Sequence, residues 1–144
     1  MKSRNSHLLT VFVATLVALA AGTIAGAGQE AAKTVNDGVF STDQAGRGQK
    51  AFESRCTTCH EPSRFIGPDF VKQWSGQPLH ALYDVMQSTM PEDNPGSLQP
   101  QQYADIVAFI LQLNNFPVGS EELKGTEEAM KAVKMEPLKS AGAR

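Results

Sequence analysis

Apolar residues recur at helical spacing most clearly between Pro100 and Leu113. Ile106, Phe109, Ile110 and Leu113 form a wide stripe at the 3.6-residue period. Pro100 suits a first helical position, and Leu98 with Tyr103 has the placing of a hydrophobic staple. Asn114-Asn115 and Pro117 stop the element. A second helix is predicted over residues 42–54, opened by Ser41 and Gln44 at capping-box spacing. Gly46 and Gly48 fall inside it, each costing about 1 kcal/mol relative to alanine. A glycine kept in such a place points to close backbone approach, and Phe52 shares the Gly48 face one turn on. Shorter helical pieces are predicted over residues 69–74 and 78–87, parted by Ser75-Gly76-Gln77. Residues 60–68 and 88–98 read as loops. No strand pattern and no internal repeat stands out, so the fold class is all-α.

The first residues carry a different signal. Lys2 and Arg4 precede an uncharged apolar run from Leu8 to Ala21, and Ala25-Gly26-Ala27 has the small-x-small form of a cleavage site. Residues 1–27 therefore read as a secretory signal peptide. The competing reading is an uncleaved anchor, since Leu8 to Gln29 is long enough to span a bilayer. Residues 28–40 read as a polar linker and 41–118 as the folded domain. Residues 119–144 form a charged extension that either wraps the surface or is disordered. A marginal helix is conceivable over 121–135, where apolar positions are sparse.

Composition narrows the function classes. The chain has 144 residues, 41% hydrophobic and 19% charged, which suits one globular domain with tails. Its net charge of −2 gives no nucleic-acid footprint. Loss of Lys2 and Arg4 with the leader would leave −4, a mildly acidic exported domain. Export implies an oxidising compartment, the bacterial periplasm.

The chemistry sits at Cys56-Thr57-Thr58-Cys59-His60, the C-x-x-C-H signature of c-type haem attachment. On a helical turn both sulfurs face one side. They can form thioethers to the two vinyl groups of a haem, while His60 places an imidazole on the iron. Three other readings compete. A thioredoxin-like redox pair would want a βαβ context. Zinc would need a fourth ligand, and adjacent Cys59 and His60 fit one tetrahedron awkwardly. A Cys56–Cys59 disulfide would be strained in a helix.

A sixth iron ligand is sought next. Met90 stands before Pro91 in an irregular loop, with no evident packing reason to be there. It is the leading candidate. Met86, inside a predicted helix, reads first as core; Met86, His80 and an open position remain as alternatives. Methionine opposite histidine raises the reduction potential.

With these residues in hand, the chain resembles a class I cytochrome c from about Ser41 to Pro117. Gly48 and Phe52 stand eight and four residues before Cys56, and Ile106 and Phe109 match their packing partners. The resemblance implies an all-α cytochrome c fold in which N- and C-terminal helices cross closely around one covalently bound haem c. It also implies that Gly67 and Pro68 border the haem, with the Pro68 carbonyl accepting from the axial imidazole. Trp74 could line the haem or donate its indole N–H to a propionate, or simply pack in the core. Arg64 could pair with a propionate or be a solvated loop charge.

A weaker resemblance concerns a subgroup. Trp74-Ser75-Gly76, Thr89-Met90-Pro91, Pro95-Gly96-Ser97-Leu98, Tyr103-Ala104-Asp105-Ile106 and Phe116-Pro117 look similar to small cytochromes and cytochrome domains serving quinoprotein alcohol dehydrogenases. The expectation is a periplasmic one-electron carrier, not an enzyme, between a dehydrogenase or other redox donor and an acceptor such as a terminal oxidase. Alternatives are a haem subunit held in a larger quinoprotein complex and, in another class, a small haem peroxidase or ligand sensor. Nucleic acid is excluded as a partner, and a membrane enters only if the N-terminal segment stays uncleaved.

Overall fold

The computed structural model describes residues 33–139. The predicted signal peptide lies outside them. Within them, the chain runs β1 (Lys33–Thr34), α1 (Thr42–Arg55), α2 (Pro68–Trp74), α3 (His80–Thr89), α4 (Pro100–Leu113), α5 (Glu127–Lys131) and β2 (Val133–Lys134). Helices dominate these elements, as the all-α class read from the sequence requires.

The crossing of α1 and α4 forms the core. Ser41 caps α1 by accepting from the Gln44 amide, and α4 begins at Pro100 as its sequence requires. Leu98 and Tyr103 are both buried at the α4 entrance, as a staple demands. Gly48 is the contact point: a Cβ there would overlap the Asp105 carbonyl. Backbone therefore meets backbone, which explains a glycine in the helix interior. Phe52 then packs on Phe109, with ring centroids 5.6 Å apart.

A buried polar cluster beside Gly48 joins the two helices to the C-terminal segment. Gln44, fully buried, donates to Asp105 at 3.1 Å and exchanges two hydrogen bonds with the Leu123 backbone. Arg47 bridges Asp105 and Glu122, at 3.1 and 2.7 Å. Both carboxylates hold the guanidinium pKa above its ordinary value, and Arg47 in turn pulls the Glu122 carboxyl below the usual range.

Three sequence expectations need correction. Helix α3 begins two residues later than Pro78 and ends two later than Gln87. At its start the Leu79 amide donates instead to the Val133 carbonyl. At its end the Ser88 and Thr89 hydroxyls bond back to Asp84 and Val85 carbonyls, which lets these residues finish the helix.

Residues 33–40 are also more than a linker. Strand β1 pairs in parallel with β2, a ladder too short to show any alternation in sequence. Thr34 and Asp37 form a capping box around a single 3-10 turn, and Val35, Val39 and Phe40 are buried.

The segment from Gly119 packs on the domain as a strap. Only Glu127–Lys131 is helical. Leu123, Met130, Val133 and Met135 are buried under it, so the few apolar positions that look sparse as a helix are the ones that dock. Gly119 lies against Gly38, and Gly125 against the Pro100 backbone, where a side chain would collide. The strap also grips the start of α3: Gly76 donates to Met135, and Met135 to Gln77.

Candidate functional site

Helix α1 ends at the cysteine motif. The Cys56 amide still donates to the Phe52 carbonyl, and the Cys59 and His60 amides both turn back onto the Cys56 carbonyl, at 3.1 and 2.8 Å. Thr57 caps the Glu53 carbonyl with its hydroxyl at 2.6 Å. This tight turn aims Cys56, Cys59 and His60 at one cavity of about 830 Å³. Cys56 and Cys59 are not joined to each other by a disulfide. Burial pushes the Cys56 thiol pKa up, keeping it neutral.

Other elements complete the walls. Phe52 and Phe65 meet edge to face at 5.5 Å, and Phe65 packs likewise against His60 and Phe70. Trp74 comes from α2, Met86 and Met90 from the end of α3, and Tyr103, Ile106 and Ile110 from α4. The predicted Cys56, Cys59, His60, Met90 and Trp74 are thus brought together around one space. Arg64 stands at the same cavity, exposed. His80 does not line it; its ring lies against Tyr83, at 6.3 Å.

Two buried polar atoms in the cavity wall have no partner: Nδ1 of His60 and Nε1 of Trp74. Leaving such a group unsatisfied costs about 1–3 kcal/mol. The cavity thus suits a largely apolar group that carries polar substituents able to meet such a donor. Two thiols, an imidazole, a thioether and aromatic walls are a donor set that fits haem. Zinc fits less well: among the described residues, no three His, Cys, Asp or Glu side chains converge as a metal cage requires.

Gly67 and Pro68 require a correction. Neither borders the main cavity; they line a second, smaller one of about 520 Å³ with Val71, Leu113 and Leu138. Pro68 opens α2, and the Gly67 carbonyl accepts from Val71 within that helix start. His60 Nδ1 has no acceptor, so the Pro68 carbonyl does not hold the imidazole. The physical reason is the short connection after His60. Its Pro62–Phe65 turn brings Phe65, rather than the Pro68 backbone, against the imidazole.

Sequence reasoning also missed Asn114, read only as a helix stop. Its buried amide accepts from the Gly67 N–H at 2.9 Å and donates to the Phe65 and Ile110 carbonyls. It thereby fixes the loop that carries Phe65. A polar residue just past a long apolar helix face is the only signal available beforehand. Tyr103, half of the predicted staple, has a further role. Its hydroxyl also donates to the Met90 carbonyl at 2.7 Å.

Residues 43–110 match the family model described as cytochrome c oxidase, cbb3-type, subunit III. The match starts in α1, passes through the cysteine motif and ends in α4. Residues 43–110 form a class I c-type cytochrome domain. Such a domain binds haem c, with its iron, covalently. Cytochrome c domains are electron carriers, and they act with redox partners. No curated protein and no solved structure matches the chain.

Proposed function

We propose that the protein is an exported, periplasmic monohaem cytochrome c that shuttles single electrons between two redox proteins and is not itself an enzyme. Cys56 and Cys59 would hold the haem through thioethers, and His60 and Met90 would ligate its iron. The observation that carries this reading is the convergence of those four side chains on one aromatic-walled cavity.

The haem supplies a one-electron iron couple. The chain's own residues do the rest. Phe52, Phe65, Ile106 and Ile110 keep water from the cavity and so limit reorganisation when charge changes. The Trp74 indole N–H supplies a buried donor for a propionate. Arg64, at the same cavity, supplies positive charge. The donor is a dehydrogenase, of the quinoprotein type that the subgroup resemblance suggests, and the acceptor is an oxidase. A stable place in a larger complex is the runner-up within this class. Met86 is the second candidate for the sixth position, because it too reaches the cavity.

The test is a pair of visible spectra of protein matured with haem-attachment machinery. A c-type reduced spectrum, unchanged by carbon monoxide, supports a carrier with both axial positions filled. A five-coordinate spectrum that shifts with carbon monoxide would move the assignment to a ligand sensor or peroxidase. Mass spectrometry adds the attachment sites: single Cys56→Ser and Cys59→Ser variants should each retain one thioether.

A further inference from the structure

The loop from Met90 to Leu98 is the least anchored part of the cavity wall. Residues 92–97 are all exposed. Inside the loop, Asn94 donates to Pro91 and Ser97 to Asn94, which shape it without tying it to the domain. The Met90 N–H donates to the Met86 carbonyl at 2.9 Å and Gly96 donates to the Met90 carbonyl at 3.3 Å, while one side chain hydrogen-bonds the loop to α4. Tyr103, on α4 and 1% exposed, donates its hydroxyl to the Met90 carbonyl at 2.7 Å. The same oxygen receives the Leu98 N–H at 3.4 Å. One phenol thus touches both ends of the loop, and it sits two residues before Asp105, at the immobile helix crossing.

We propose that Tyr103 is the positioning residue that fixes Met90 at the open side of the cavity, through its backbone rather than its sulfur. This rests on Met90 being an axial ligand. The physical argument is one of entropy. A methionine on a free loop must be ordered each time it binds iron, and a neck held by Tyr103 has already lost that freedom. A buried phenol hydroxyl also needs a partner, and the Met90 carbonyl is the short one. Phenylalanine would fill the same volume and pack on Tyr83 equally, so packing alone does not call for the hydroxyl.

The test measures imidazole binding to the oxidised holoprotein, a probe that competes with the sixth ligand. The variants are Tyr103→Phe, Tyr83→Phe and Met90→Ala, compared with the parent protein. Tyr83 is the control. It is as buried as Tyr103, and its hydroxyl contacts the Pro100 and Gly125 carbonyls, but it does not line the cavity. Tyr103→Phe should tighten imidazole binding about three- to tenfold, the worth of one neutral hydrogen bond. Tyr83→Phe should stay within about twofold at a comparable loss of melting temperature. Met90→Ala should bind tightest. Equal affinities for Tyr103→Phe and the parent overturn the proposal, as does a Tyr83→Phe effect matching that of Tyr103→Phe. Should Met90→Ala leave both spectrum and affinity unchanged, the ligand assignment itself falls, which is a separate result. If Tyr103→Phe fails to incorporate haem, 4-fluorophenylalanine at position 103, which fills the space of the hydroxyl without a donor, should still raise imidazole affinity. No change there would count against the proposal.

Discussion

The two sides of the haem cavity are built by opposite means. On the cysteine side, α1 and α4 meet backbone to backbone at Gly48 and Asp105, with a buried amide and an ion pair beside the contact. The C-x-x-C-H turn continues directly from that crossing. On the methionine side, residues 92–97 of the loop after α3 are exposed, and the loop is joined to α4 by the Tyr103 phenol and the buried Leu98. In the proposed ligation, His60 would follow a rigid helix and two covalent attachments. Met90 would come from a loop whose hold can be adjusted by single hydrogen bonds. The contrast suggests that stability resides on one side and tuning of the iron on the other.

The largest effect should come from breaking the rigid side. Gly48→Ala would drive a methyl group into the Asp105 carbonyl, which cannot retreat without parting the helices. A loss of about 3 kcal/mol or more is expected by denaturant unfolding, with little holoprotein recovered. Gly46, two residues away, faces open space. Gly46→Ala should instead stabilise by about 0.5–1 kcal/mol. Similar effects from the two would contradict the close approach.

Next in size is the strap. Met130 is fully buried on α5, so Met130→Ala should cost about 2–5 kcal/mol in thermal or chemical unfolding. An unchanged midpoint would mean that the C-terminal segment does not dock. Asn114→Ala leaves the Gly67 N–H and Phe65 carbonyl without their partner. About 1–3 kcal/mol should be lost, with faster amide exchange at Gly67. Exchange as slow as in the parent would sink the role given to that side chain.

The smallest effect concerns acid. Arg47 lowers the Glu122 carboxyl pKa, so this group stabilises the fold above its unfolded value of about 4.3. That contribution disappears as pH falls through the depressed folded value. Glu122→Gln should therefore lower neutral stability slightly, converge with the parent in acid and flatten the stability profile below about pH 4.3. An acid limb identical to the parent's would show that the ion pair is fully screened.

Legibility in the sequence followed the same divide. Helices α1 and α4 could be read because their signals are local: a capping serine, an N-terminal proline and a long apolar stripe. The C-x-x-C-H turn was equally plain. Gly48 pointed to the crossing, although Gly46, equally inside α1, faces open space and marks no contact. The strap was not legible, because Leu123, Met130 and Met135 dock singly, at no regular period. Gly67 and Pro68 lie elsewhere because the family pattern does not reveal that Phe65 packs against His60 and that Asn114 ties Gly67 to the end of α4. Long-range hydrogen bonds from Asn114 and Tyr103 leave no trace in spacing.

The most direct measurement is the reduction potential of the holoprotein beside that of Met90→Ala, with the oxidised spectra of both. If Met90 closes the site opposite His60, the parent should show the weak oxidised band of iron–methionine bonding. The variant should lose that band, drop substantially in potential and admit carbon monoxide when reduced. Identical potentials and spectra in the two proteins would contradict the account.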